Sequence, residues 1–158
     1  MEFQDRTRMA LLQSVGSILT QKDPRIVAIG PDEPVYNAVG MMADHDIGAL
    51  PVLDHGRLVG MISERDYARK IILEGRSSRT TRVGEIMDTA DLVVAPETAV
   101  GQCLEVMTRK RRRHLLVLDA QGMLAGIVSI GDLVNAIIAA QDNVIVQLHD
   151  YIVGAYPS

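Results

Sequence analysis

One phrase occurs twice in this chain, and the duplication limits what it can fold into. The copies are Gly60-Met61-Ile62-Ser63-Glu64-Arg65-Asp66 and Gly126-Ile127-Val128-Ser129-Ile130-Gly131-Asp132. Each follows a short apolar run and opens a helical pattern. The surrounding residues repeat as well. Val15-Gly16-Ser17-Ile18-Leu19 returns as Val83-Gly84-Glu85-Ile86-Met87, and Pro31 returns as Pro96. Val35, Ala38, Val39 and Met42 form an i, i+3, i+4, i+7 stripe that recurs as Val100, Cys103, Leu104 and Met107. Insertions fall only in turns. A chain of this kind is two copies of one small unit, and each copy has too little core to stand alone.

In order, residues 5–15 read as an amphipathic lead-in helix. Arg25 to Ile29 is a β-branched run expected to form a strand. Asp32-Glu33-Pro34 reads as a helix start, with proline at the first helical position. Ala49 to Leu53 is a strand, Asp54-His55-Gly56-Arg57 a turn, and Leu58 to Ile62 the returning strand of a hairpin. Ser63 then caps a helix whose expected buried face is Tyr67, Ala68, Ile71 and Ile72. The expected divisions are 1–14 lead-in helix, 15–74 first repeat, 75–82 linker, 83–140 second repeat and 141–158 helical extension. That extension carries Val144, Ile145, Leu148 and Ile152 on one apolar stripe, which wants cover from the lead-in helix or a second subunit.

With one Phe, no Trp and four Tyr in 158 residues, the core must be aliphatic. A formal net charge of −4 argues against a general nucleic-acid partner. A single cysteine cannot form an internal disulfide. No apolar run approaches the ~20 residues of a membrane span, so a cytoplasmic protein is expected.

The ordered set of phrases resembles the cystathionine-β-synthase (CBS) domain in duplicate. Ala49-Leu50-Pro51-Val52 with the first phrase, and Arg113-His114-Leu115-Leu116-Val117 with the second, carry the likeness over about residues 15–140. The resemblance implies an α/β (α+β) fold of two β-α-β-β-α CBS repeats around a pseudo-twofold axis. It also implies a standalone regulatory module that is not an enzyme. Such a module binds an adenosine derivative (AMP, ADP, ATP, NAD or S-adenosylmethionine) between the repeats, works as a homodimer and signals to a downstream protein. The residues carried over fall into two crossed pockets. Thr20, Val27, Gly48, Ala49, Ser129 and Asp132 make pocket A. Ser63, Arg65, Asp66, Leu92, Arg113 and His114 make pocket B. The second repeat has Leu116 where the first has Pro51, which is expected to loosen the strand edge beside Arg113. The alternative is a structural dimerisation module with vestigial pockets.

The side chains fit this chemistry. An ionised Asp66 or Asp132 accepts two hydrogen bonds, which suits adjacent ribose hydroxyls. Ser-x-x-Asp at a helix start is also a capping box, so the same residues have a purely structural role available. Arg65 adds a cation at the helix start, where free amides already favour an anion. The run Arg109-Lys110-Arg111-Arg112-Arg113-His114 has no aromatic partners for nucleic acid, and its equivalent in the first copy, Asp44-His45-Asp46-Ile47-Gly48, is acidic and apolar. The Arg113 site is therefore expected to take more phosphate than the Gly48 site. His45, His55 and His149 are scattered, so no metal site is expected. Cys103 sits on a core stripe and is not expected to be a nucleophile.

Overall fold

The computed structural model describes residues 2–89 and 92–141. The elements are α1 (Glu2–Leu12), α2 (Val15–Leu19), α3 (Val35–His45), β1 (Ala49–Asp54), β2 (Arg57–Ser63) and α4 (Glu64–Tyr67). Then come a π-helical turn (Ala68–Ile72), α5 (Val83–Ile86), β3 (Asp88–Thr89), β4 (Val93–Val94), α6 (Val100–Lys110), β5 (His114–Leu118) and β6 (Leu124–Ser129). A final helix, α7, covers 130–141. The expected apolar stripe of the extension lies outside the described residues, as does His149.

Two three-stranded sheets result, β1-β2-β3 and β4-β5-β6. Each is built on an antiparallel hairpin, Ala49↔Ser63 to Asp54↔Arg57 in one and His114↔Ser129 to Leu118↔Leu124 in the other. The two halves exchange their entry helices. α2 docks on the second half, where the Val15 amide donates to Thr98 O at 2.7 Å and that of Gly16 to Pro96 O at 2.8 Å. α5 docks on the first half in the same way, Val83 donating to Glu33 O and Gly84 to Pro31 O, both at 2.8 Å. Val15 and Ile18 therefore sit in one core with Val100, Cys103, Met107 and Leu115. Val83 and Ile86 sit in the other with Val35, Ala38, Met42 and Leu50. The repeated Val-Gly phrases are the docking segments of this exchange. α1 lies against α6, and Gln141 Nε2 donates to Thr7 Oγ1 at 3.3 Å, which brings α1 beside the end of the described part of α7.

Four local expectations need correcting. Residues 25–29 do not form a strand; only Ile29 bridges, in parallel, to Val52. The cause is Pro51. In the second half Leu116 N donates to Leu92 O at 2.8 Å and β4 pairs in parallel with β5. The matching bond, from position 51 to Val27, has no donor in proline. Leu116 thus tightens the edge it was expected to loosen. Pro34 is the N-cap of α3, with ψ 144°, and not its first helical residue. Finally, Ala68 is exposed and Ile72 is 59% exposed, because the wide π turn changes the helix period. Asp66 and Ile71, five apart, are the buried pair.

Candidate inter-repeat cleft

α6 ends on Arg111 in the left-handed conformation, φ 54°. The Arg112 amide then closes on Met107 O at 2.9 Å, and Arg113 and His114 lead into β5. This tight exit delivers consecutive cations to one wall of a cleft of about 770 Å³ between the halves. The opposite wall is the end of β2 and the start of α4, with Ser63, Glu64 and Arg65. Arg69, Asp88 and Thr108 complete the polar lining, and Gly48, Met61, Met107 and Ile130 supply apolar surface. Arg65 Nη1 donates to Arg111 O at 2.6 Å and so ties the walls together.

The Ser-x-x-Asp boxes are both made. Asp66 Oδ2 accepts from Ser63 N at 2.9 Å and Ser63 Oγ at 3.0 Å, and Asp66 N donates to Ser63 Oγ at 3.2 Å. Asp66 Oδ1 meets Lys70 Nζ at 3.1 Å. Lys70 also donates to Ile86 O at 2.8 Å and meets Asp88 Oδ1 at 3.4 Å, while Asp88 Oδ2 meets Arg112 Nη1 at 2.8 Å. A line of alternating charges therefore runs from the cap of α4 to the cleft wall. In the second half Asp132 Oδ2 accepts from Ser129 N at 2.8 Å and from Lys22 Nζ at 2.7 Å. Lys22 also donates to Ile127 O at 3.0 Å. Burial opposes ionisation of Asp132, but the bonds from Lys22 and Ser129 outweigh it and hold its carboxyl below the usual range.

Of the residues expected in pocket B, Ser63, Arg65, Arg113 and His114 line the large cleft, whereas Asp66 and Leu92 do not. Asp66 is 2% exposed behind the wall, and Leu92 is part of the second core. Of pocket A, Val27 lines a second cleft of about 270 Å³ with Leu19, Lys22, Arg25, Ile26 and Ile127. Gly48 lies in the large cleft instead, where a Cβ on it would stand 3.2 Å from the His114 ring. Ala49 is core, Thr20 Oγ1 turns back onto Ser17 O at 2.7 Å, and Ser129 and Asp132 are held by their own box. Arg69, Arg112, Asp88, Lys22 and Lys70 were not among the expected site residues. Two signals for these were readable: Arg112 lies in the basic run 109–114, and Asp66 and Lys70 stand at i, i+4. Cys103 is fully buried, with burial raising its thiol pKa.

Burial lowers the pKa of His114 below its ordinary 6.5; Asp132 raises it somewhat, and Lys22 and Arg113 lower it further. Burial thus disfavours the charged ring. The unfolded chain takes up this proton more readily than the folded one. The stability His114 contributes is thus complete above pH 6.5 and is lost as pH falls through the lower folded value. Urea unfolding at pH 7.5, 6 and 5 should show a loss on acidification that is smaller in His114→Gln. An unchanged slope in that variant would remove His114 as the cause.

A CBS-domain family model matches residues 15–73 and 83–139. The chain is 45% identical over 130 residues to the CBS domain-containing protein CBSX3, mitochondrial, of Arabidopsis thaliana. That match takes in 79% of this chain and spans 63% of the Arabidopsis protein's length. A structure of a candidate signal-transduction protein with CBS domains from Burkholderia ambifaria is 44% identical, with TM-score 0.77 over 80% of this chain and 95% of that one. A crystal structure of hypoxic response protein I with two coordinated zinc ions is 28% identical, with TM-score 0.66 over 78% of this chain and 98% of that one. Among the described residues of this chain, no cluster of His, Cys, Asp or Glu could hold a metal, and no helix is long and apolar enough to cross a membrane.

Proposed function

The chain belongs to the CBS-domain family, and from that membership we propose that it is a regulatory, non-enzymatic module that binds a phosphate-bearing adenosine ligand in its large inter-repeat cleft. AMP, ADP, ATP and NAD are the ligands in view. One observation carries the reading: five arginines and two carboxylates line a cleft of about 770 Å³ drawn from both repeats. A guanidinium fork suits phosphate oxygens, and the apolar surface of Gly48, Met61 and Ile130 suits a base. Because the walls belong to different repeats, a ligand that binds one relative orientation better shifts the pair toward it. In this proposal two chains associate and present that change to a partner protein in the cytoplasm. Val134 and Ile138 on α7, 41% and 46% exposed, offer apolar surface for such contacts.

The rival reading, an interaction module with vestigial pockets, draws on the occupied Asp66. Its carboxylate already serves Ser63 and Lys70, so ribose must displace those bonds or be held by other groups. Thermal melts of ligand-stripped protein separate the two. Ligand at 100 times its Kd adds about 2.7 kcal/mol, a rise of about 5–11 °C for a domain of this size. We expect that rise with at least one of AMP, ADP, ATP or NAD, none with the phosphate-free S-adenosylmethionine, and a clear reduction in Arg113→Ala. Arg113 is exposed, so its truncation leaves the core intact. A folded protein whose melt none of the five ligands moves would favour the interaction module.

A further inference from the structure

We propose that the large cleft is a polyphosphate site, holding an anion of two or more linked phosphates, and that the small cleft is closed to such anions, so that each chain binds one. This inference rests on the cleft assigned above and adds which end of the ligand supplies the affinity.

The duplicated backbone makes the comparison internal to the molecule. α3 and α6 both end on a left-handed residue, Asp46 at φ 52° and Arg111 at φ 54°. Each is followed by an amide that closes on the matching methionine, Ile47 on Met42 O and Arg112 on Met107 O. The geometry is the same and the charge is reversed. Asp46-Ile47-Gly48 stands on one side, and Arg111-Arg112-Arg113 on the other.

The balance of charge then sets the anion. Arg65, Arg69, Arg111, Arg112 and Arg113 line the large cleft against Glu64 and Asp88, an excess of three arginines over carboxylates. Of these arginines only Arg112 has a carboxylate partner among the described residues, namely Asp88. A single phosphate, at about −2, leaves this excess partly uncompensated, and two linked phosphates, at about −3, match it. The small cleft has about a third of the volume, 270 against 770 Å³. Its Lys22 is committed to Asp132 at 2.7 Å and its Arg25 to Asp23 at 2.7 Å, so both cations are already neutralised.

The same charges predict how the ligand is admitted. A phosphate drawing Arg112 away must compete with Asp88, so Asp88 limits the affinity of the site.

Calorimetric titration of the full chain at constant ionic strength and without divalent metal tests this. The probes are orthophosphate, pyrophosphate and tripolyphosphate, alongside AMP, ADP and ATP. Affinity should rise about tenfold from one phosphate to two in both series, rise less with the third, and saturate at one ligand per chain. Arg113→Ala should lower tripolyphosphate affinity about tenfold, and Lys22→Ala should leave it unchanged. Asp88→Asn should raise it more than Glu64→Gln; each removes one charge from the cleft, but only the first releases Arg112. Equal affinities for AMP and ATP, two anions per chain, or equal losses in Lys22→Ala and Arg113→Ala would overturn the inference. AMP binding as tightly as ATP would leave the adenosine reading standing and remove this one. Tripolyphosphate binding as tightly as ATP would do the reverse. No binding by any probe removes both.

Discussion

Gly60→Ala should lower stability by about 3 kcal/mol, while the same change at Gly126 should cost about 1 kcal/mol. The two glycines occupy matching places in the duplicated phrase, yet they face different obstacles. A Cβ at Gly60 meets the Asp88 carbonyl oxygen, with Met87 Sδ at 2.8 Å. Gly60 pairs with Thr89 across β2 and β3, so relief requires the backbone of β3 to move. A Cβ at Gly126 meets the end of Leu19, with Cδ2 at 2.9 Å, and a leucine terminus can rotate. For a chain of this length the Gly60 loss is a fall of about 6–12 °C in Tm. Circular-dichroism melts of the two variants decide the matter. Equal losses would show that β3 yields as easily as a leucine side chain.

Asp66→Ala should cost about 3 kcal/mol, against about 1 kcal/mol for Asp132→Ala. Both carboxylates cap a helix, and both hold a lysine. The difference is access to water. The Asp66 side chain is 3% exposed, and its loss strands the buried Ser63 amide and hydroxyl and deprives Lys70 of one of its two carboxylates. The Asp132 side chain is 23% exposed and that of Lys22 36%, so solvent replaces much of what is removed. Urea denaturation of the two variants at pH 7 measures this ratio. If Asp132→Ala proved the costlier, the exposed ion pair would outrank the buried box. The same comparison bears on ligand work: a binding loss in Asp66→Ala mixes site and stability, which Arg113→Ala does not.

Much of this fold was legible because the duplication is legible. The stripes Val35-Ala38-Met42 and Val100-Cys103-Met107 are buried as their spacing requires. Ser63 and Ser129 cap as their phrase predicts. What escaped depends on contacts distant in sequence. No local signal says that α2 belongs to the second half, although the recurrence of Val-Gly at residues 15 and 83 records it. The missing strand at 25–29 follows from a proline in another segment, and Pro51 reveals it only once β1 is known to lie alongside Ile29. The site divided in the same manner. Arg113 and Arg65 were readable from charge and position. Lys22 and Asp88 gain meaning only from partners about 110 and 24 residues away, Asp132 and Arg112. The buried spacing of Asp66 and Ile71 could not be read from a 3.6-residue period, because the turn there is π.

The exchange of entry helices has a consequence for synthesis of the chain on the ribosome. When Ile71 has been added, the first core still lacks Val83 and Ile86, and its sheet lacks β3. At ~5–20 residues per second, reaching Thr89 takes about 1–4 s more. Meanwhile Val15 and Ile18, already made, have no second core to enter. The nascent first half therefore travels with two open apolar faces. It becomes a finished half only after the start of its sister has emerged.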